Sequence, residues 1–326
     1  MLANEKKCVK RIAWPDMLKG IAVLLVAVGH NPKVSSPIVH WIYSFHIPAF
    51  FFVAGYFWKL KDDSIIKTFL IRAKQILPIY FAMSLAMLVM DSVVNRKLNL
   101  DMLIGTFIVW MTKYSGYLWF LPCFLMFSLI FSAIGKWLKN IWLGFIAAIV
   151  LAVIIFYIRA KFMIRLPLDI DVAIVMLPFG FIGRALRYFM DEKNAISDSR
   201  WWQKIVVGAC FLIAQIVLCI KHAQNGQVPH IDYNLMATGN TLVAYLAGIA
   251  GVLGISAVLM ALPEIKVLSF AGRYSIVFYC MCWIGSRNFF SGAPIAVNVM
   301  ISTFAMYLVS MLVVALLNKV RPGLLK

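Results

Sequence analysis

Charge is what this 326-residue chain has least of: only 13% of its residues are Asp, Glu, Lys or Arg. A soluble chain carries about 25%. Acidic residues are the scarcest, with 13 Asp and Glu against 31 Lys and Arg and a net charge of +18. Linkers are missing too. No Ser/Gly/Pro-rich tract divides the chain, and no internal repeat is visible. No G-x-S-x-G elbow and no phosphate-cradling glycine loop occurs, so neither signature supports an α/β-hydrolase or P-loop reading. The cysteines (Cys8, Cys123, Cys210, Cys219, Cys280 and Cys282) form no C-x-x-C pair. Most lie in apolar runs and read as small buried hydrophobes, not as a disulfide or metal set. His222, His230 and Asp232 match no metal-ligand spacing, and a polar loop is expected there. No metal site is expected.

What is present is hydrophobicity, at 63% of residues. Ten apolar runs are long enough to cross a bilayer: 12–30, 41–58, 68–90, 117–135, 141–158, 171–190, 203–221, 238–261, 272–291 and 294–318. The run 101–113 is too short and reads as a re-entrant or interfacial piece. The predicted fold is all-α, a polytopic helical bundle of about ten transmembrane helices forming one domain over 1–326. The N-terminus begins like a signal peptide but lacks a small-residue cleavage site, so a retained first span is expected. The aromatics are expected mainly in lipid-facing and interfacial belts.

An even number of spans puts both termini on one side. With that side cytoplasmic, 22 of the 31 basic residues fall inside or at its flanks and nine outside. The imbalance predicts cytoplasmic termini and a multi-pass protein of the inner (plasma) membrane. Because the basic residues sit in short clusters between apolar runs, nucleic acid is excluded as partner; membrane lipids and an anionic co-substrate remain. One cluster, Arg159, Lys161 and Arg165, runs against the count. It means a miscounted span or an anionic ligand outside. Asp169 and Asp171 beside it are expected in a solvated loop, with sugar binding as the alternative.

Residues 11–58 carry ionisable groups at membrane depth, where they are costly and usually kept for function. Lys19 and His30 are eleven residues apart, within roughly 20° of one helical face and roughly 16 Å along the axis. Asp16 pairs with Lys19 at i, i+3. Asn31-Pro32 stops the helix, so His30 is expected at a wet terminus. Two readings of His30 stand: a proton-transfer group or a loop-edge histidine at the membrane surface. His46 alone reads as an interfacial histidine. Facing His30 across a short loop, it joins the same candidate site.

The pattern Trp14-x-Asp16-x-x-Lys19-Gly20-Ile21, Gly29-His30 and Ser44-Phe45-His46-Ile47-Pro48-x-Phe50-Phe51-Phe52-x-x-Gly55-Tyr56 resembles the membrane acyltransferase-3 family. It is most similar to the branch named for fucose 4-O-acetylase and polysaccharide O-acetyltransferases. Tyr117-Leu118-Trp119-Phe120-Leu121-Pro122, Leu177-Pro178-Phe179-x-x-Ile182-Gly183 and Gly272-Arg273-Tyr274-Ser275-x-x-x-x-Tyr279 resemble later family segments. The resemblance implies an O-acyltransferase with no permanently bound cofactor. Its co-substrate is acetyl-CoA or another acyl-CoA. The acceptor is a carbohydrate or lipid-linked glycan, placing the protein in polysaccharide biosynthesis.

The resemblance also marks Lys19 and His30, separated by ten residues, as the functional pair. Arg11 and Arg273, with Arg72 or Lys74, are expected to hold the donor phosphates at a cationic mouth. His30 is the expected general base or first acyl acceptor, with Asp16 pairing Lys19 or another cation. His46, Ser44, Trp119 and Tyr56 are expected to bind substrate. Cys282 stands where relatives often carry histidine. A transporter or flippase is the alternative, but it does not need Lys19 aligned with His30. A non-enzymatic scaffold needs no polar groups at depth.

Overall fold

The structure, a computed structural model, describes residues 11–107, 116–162, 166–191, 199–224, 241–290 and 292–320. Over these residues it is a helical bundle with no strand. Seven helices are long and apolar enough to cross a membrane: α2 (Ser36–Tyr56), α3 (Ile65–Asn95), α5 (Phe120–Trp137), α6 (Ile141–Phe162), α9 (Trp201–Gln224), α10 (Thr241–Ala261) and α14 (Ile295–Val320). Three other apolar runs are built from shorter pieces. Helix α1 (Trp14–Gly29) has 16 residues, about 24 Å against a hydrocarbon core of about 30 Å. The run at 171–190 is broken at Met176 into α7 (Ile170–Val175) and α8 (Leu177–Asp191). Pro178 explains the break, since it has no N–H to give the Ile174 carbonyl one turn back. The run at 272–291 is divided among α11 (Lys266–Arg273), α12 (Ser275–Cys280) and α13 (Cys282–Gly285). The short run after residue 100 forms α4 (Leu100–Phe107), and its remainder, 108–113, lies outside the described residues.

Local chemistry sets several of these ends. Pro15 sits in the first turn of α1, where a missing N–H costs nothing. Asp16 in the same turn complements the positive end of the helix dipole. At the other end His30 is the last capping residue before Asn31-Pro32. Ser64 caps α3 by accepting from Lys67 N at 3.1 Å. Helix α2 begins at Ser36, earlier than the apolar run suggests, and Pro48 therefore lies inside it. That proline cannot donate to the Ser44 carbonyl. Gly248 of α10 packs against this carbonyl, with room for nothing larger: a Cβ there would sit 2.8 Å from Ser44 O.

The bundle has an inner and an outer layer. In α2, 67% of the apolar stretch is buried, against 17–22% in α3, α6, α9 and α14, which leave most of their surface to lipid. Helix α1 lies at the centre, packed on α2 and on α10 through α14. Two backbone-to-backbone crossings hold this centre. Gly20 lies on the Leu268 carbonyl and Gly272 on the Asp16 carbonyl, joining α1 to α11. Gly55 lies on the Gly180 carbonyl and Gly183 on the Phe52 carbonyl, joining α2 to α8. In lipid, where no hydrophobic drive pulls helices together, such close approach supplies the van der Waals contact that does.

The aromatic expectation is overturned in the core. Phe45, Phe51, Phe52, Phe127, Phe131, Phe179, Phe181 and Phe278 are fully buried. Phe51, Phe127, Phe131 and Phe181 form a run of ring contacts with centroids 4.6–5.2 Å apart, from α2 through α5 to α8. Glycines and alanines on the facing helices leave spaces that only large rings fill.

Candidate functional site

The α1–α11 crossing creates the first element of the site. Because Gly20 and Gly272 bring the two backbones together, Lys19 and Arg273 are delivered to the same carboxylate. Asp16, 6% exposed, accepts from Arg11 Nε at 2.7 Å, lies 3.0 Å from Lys19 Nζ and 3.6 Å from Arg273 Nε. Arg273 also reaches Glu264 at 3.1 Å. One buried anion thus fixes three cations, so Asp16 pairs with more than Lys19 alone.

These cations open onto a cavity of about 750 Å³, within the usual range for a small-molecule site. Arg11, Lys19, Arg72 and Arg273 line it, and no carboxylate does. Arg72, on the first third of α3, makes none of the ion pairs to Asp16. Polarity falls along the cavity. Arg11 is 60% exposed, Arg273 41% and Lys19 23%, while Phe50, Phe120 and Tyr279 at the apolar end are buried. Gln75, Tyr274 and Ser275 add neutral polar groups. Lys74 is exposed on α3 and does not line the cavity.

Beyond Phe50 the same face of α2 continues to His46. The α2 lining residues Phe50, Val53 and Phe57 stand four, seven and eleven positions after it, the spacing of one helical face. On α1 the face of Lys19 runs through Val23 and Val26 to His30. Neither histidine lines the cavity itself. His30 and His46 are brought together at the other end, on either side of Tyr43. The Tyr43 ring centroid is 5.6 Å from that of His30 and 5.1 Å from that of His46. Each imidazole Nδ1 meets the carbonyl one turn back, Val26 O at 2.8 Å for His30 and Ile42 O at 2.9 Å for His46. A carbonyl only accepts, so both Nδ1 atoms donate. The lone pair of each neutral ring is then on Nε2.

The other expected residues are dispersed. Ser44 is buried in the α2–α9 seam, donating to Trp41 O and accepting from Gln215 Nε2, both at 2.8 Å. Tyr56 is buried between α1 and α8, edge-on to Trp14 at 4.9 Å and under the Arg187 guanidinium at 5.2 Å. Trp119 is half-buried just before α5, and its neighbours Phe120 and Leu121 line the cavity in its place. Cys282 is buried at the start of α13, which packs on α1.

The solvated-loop expectation for Asp169 and Asp171 is wrong: both are buried, and Asp171 pairs with Arg159. That pair also accounts for a cation which ran against the charge count. Arg165, His230 and Asp232 lie outside the described residues, and His222 falls in the last turn of α9. Among the described residues no three of His, Cys, Asp or Glu gather as metal ligands.

Sequence reasoning gave Tyr43 no role. Its signal was its place three residues before His46, on the same helical face. Asn31 was read only as a helix stop, yet it is buried and donates to Asn288 at 3.2 Å, tying the end of α1 to the loop after α13.

No curated protein and no solved structure matches this chain. A family model described as an acyltransferase domain matches residues 12–319, which takes in both the cation cluster and the histidine pair. With that match covering nearly its whole length, the chain belongs to the acyltransferase-3 family and is a multi-pass membrane acyltransferase.

Proposed function

We propose that the protein transfers an acetyl or similar acyl group from acyl-CoA to a hydroxyl of a cell-surface polysaccharide or its lipid-linked precursor. The observation that carries this reading is the cavity: four cations and no carboxylate at its lining, grading into a buried aromatic end. Such a gradient suits a molecule with phosphates at one end and a neutral thioester at the other. Arg11, Lys19, Arg72 and Arg273 would hold the phosphates through charge-assisted hydrogen bonds. The arm would run along the α1 and α2 faces toward His30, roughly 16 Å from Lys19 by helical rise.

In the proposed reaction His30 Nε2 removes the acceptor's hydroxyl proton. The acceptor oxygen bonds to the thioester carbonyl carbon, the carbon–sulfur bond breaks, and the coenzyme thiol leaves with a proton. A covalent variant forms acyl-imidazole on the same nitrogen first; ping-pong kinetics distinguish it from direct transfer. Asp16 orients the cations, and His46 binds the acceptor. The broken runs α7–α8 and α11–α13, with the short α1, complete ten crossings in this reading. Both termini then face the cytoplasm of an inner-membrane protein, and the closest functional likeness is to the fucose 4-O-acetylase branch.

The test is His30→Ala in cells that make the acceptor. Surface O-acetylation should be lost while the protein stays correctly inserted. Full acetylation by inserted His30→Ala protein would sink the assignment.

A further inference from the structure

We infer that Tyr43 is a positioning residue that holds the imidazoles of His30 and His46 in one working arrangement; this rests on the reading of His30 as the reacting base. The observations are independent of one another. The Tyr43 ring lies between the two histidine rings and touches both, tilted 43° to His30 and 38° to His46. Its hydroxyl donates to the Gly29 carbonyl at 3.1 Å, anchoring α2 to the last turn of α1. Gly29 supplies the slot for this ring. A Cβ there would lie 2.6 Å from Tyr43 Cε1 and 3.2 Å from Cδ1, so any larger residue pushes the ring aside.

Each histidine is already fixed at Nδ1 by the carbonyl of its own helix. One hydrogen bond leaves a ring free to pivot about that contact. A second contact on the ring face removes the pivot and sets where Nε2 points. Tyr43 gives this second contact to both rings at once. It therefore ties the histidine of α1 to the histidine of α2 across a loop of six residues. The Gly29-His30 sequence acquires a reason: histidine carries the chemistry and glycine admits the ring that aims it. A misplacement of about 1 Å in a reacting group can cost about 100-fold in rate, so a device of this kind acts on turnover more than on donor affinity.

The experiment uses full-length protein in detergent, with acetyl-CoA as donor and surface glycan isolated from the host as acceptor. Tyr43→Leu is expected to lower kcat by about 10- to 100-fold and leave the KM for acetyl-CoA within about twofold, because the cation cluster is untouched. Gly29→Ala should reproduce that split. Combined with Tyr43→Leu it should add little further loss, since both changes disable one element. Tyr43→Phe keeps the ring and loses the anchor, so an intermediate kcat is expected. In protein labelled with 15N-histidine, the Nδ1–H signature of two imidazoles should weaken in Tyr43→Leu.

If Tyr43→Leu does not fold, Tyr43→Phe and Gly29→Ala decide. Wild-type kcat in both would overturn the inference, as would a Tyr43→Leu effect confined to KM. Activity surviving in His30→Ala would overturn the reading of the base instead. An inactive His30→Ala beside a fully active Tyr43→Leu would overturn only the role of Tyr43.

Discussion

Of the four cations around the cavity, Arg72 gives the sharpest test of what the cavity is for. Asp16 engages Arg11, Lys19 and Arg273 at 2.7–3.6 Å, so changing any of those also disturbs the α1–α11 crossing. Arg72 lines the same space from an exposed position on α3 and takes no part in that cluster. Arg72→Met keeps the aliphatic stem and removes the charge. A hydrogen bond to a charged group is worth about 1.5–3 kcal/mol. Loss of one phosphate contact should therefore raise the KM for acetyl-CoA by about 10- to 150-fold, at about 1.4 kcal/mol per factor of ten.

That contact is made equally in the ground and transition states, so kcat at saturating donor should stay within about threefold. The assay measures acetyl transfer over a range of donor concentrations, in parallel with S-acetylpantetheine, which carries the thioester and arm without the nucleotide phosphates. Arg72→Met should use S-acetylpantetheine as well as the parent does. An equal loss with both donors, or a loss of kcat at saturation, would refute an anion-binding role for this mouth.

Other changes test the scaffold. Gly272→Ala drives a methyl group into the Asp16 carbonyl with backbone on both sides; it should lower stability by about 1–3 kcal/mol and cut activity, read by thermal unfolding in detergent and acetyl transfer. Gly292→Ala, where nothing lies within 4 Å, should match the parent in both. Ser44→Ala leaves the buried Gln215 amide without its 2.8 Å partner. It should cost about 1 kcal/mol of stability with turnover near the parent's, whereas a collapse of turnover in stable protein would return Ser44 to the substrate site. Asp171→Asn strips the buried Arg159 of its counter-charge and should destabilise by about 3–5 kcal/mol, visible as a large fall in unfolding temperature.

The sequence by itself determined the class of structure and the first strand of the site. Apolar runs of this length have no stable home but a membrane, and in lipid the backbone must satisfy itself within helices. The alignment of Asp16, Lys19 and His30 was legible because it lies within one helix, where residue number alone sets direction. Gly20, Gly55, Gly183 and Gly272 were visible as motif positions, but their partners were not, since a crossing pairs residues far apart in the chain. Only the tertiary structure brought Arg72 and Arg273 to one cavity, set Tyr43 between the histidines, and turned Ser44 and Tyr56 into seams. It also paired Asp171 with Arg159, a contact between helices that charge counting along the chain cannot see. The physical reason is the same throughout: helical periodicity is local and can be computed from spacing, whereas which faces meet depends on how the whole bundle fills its space.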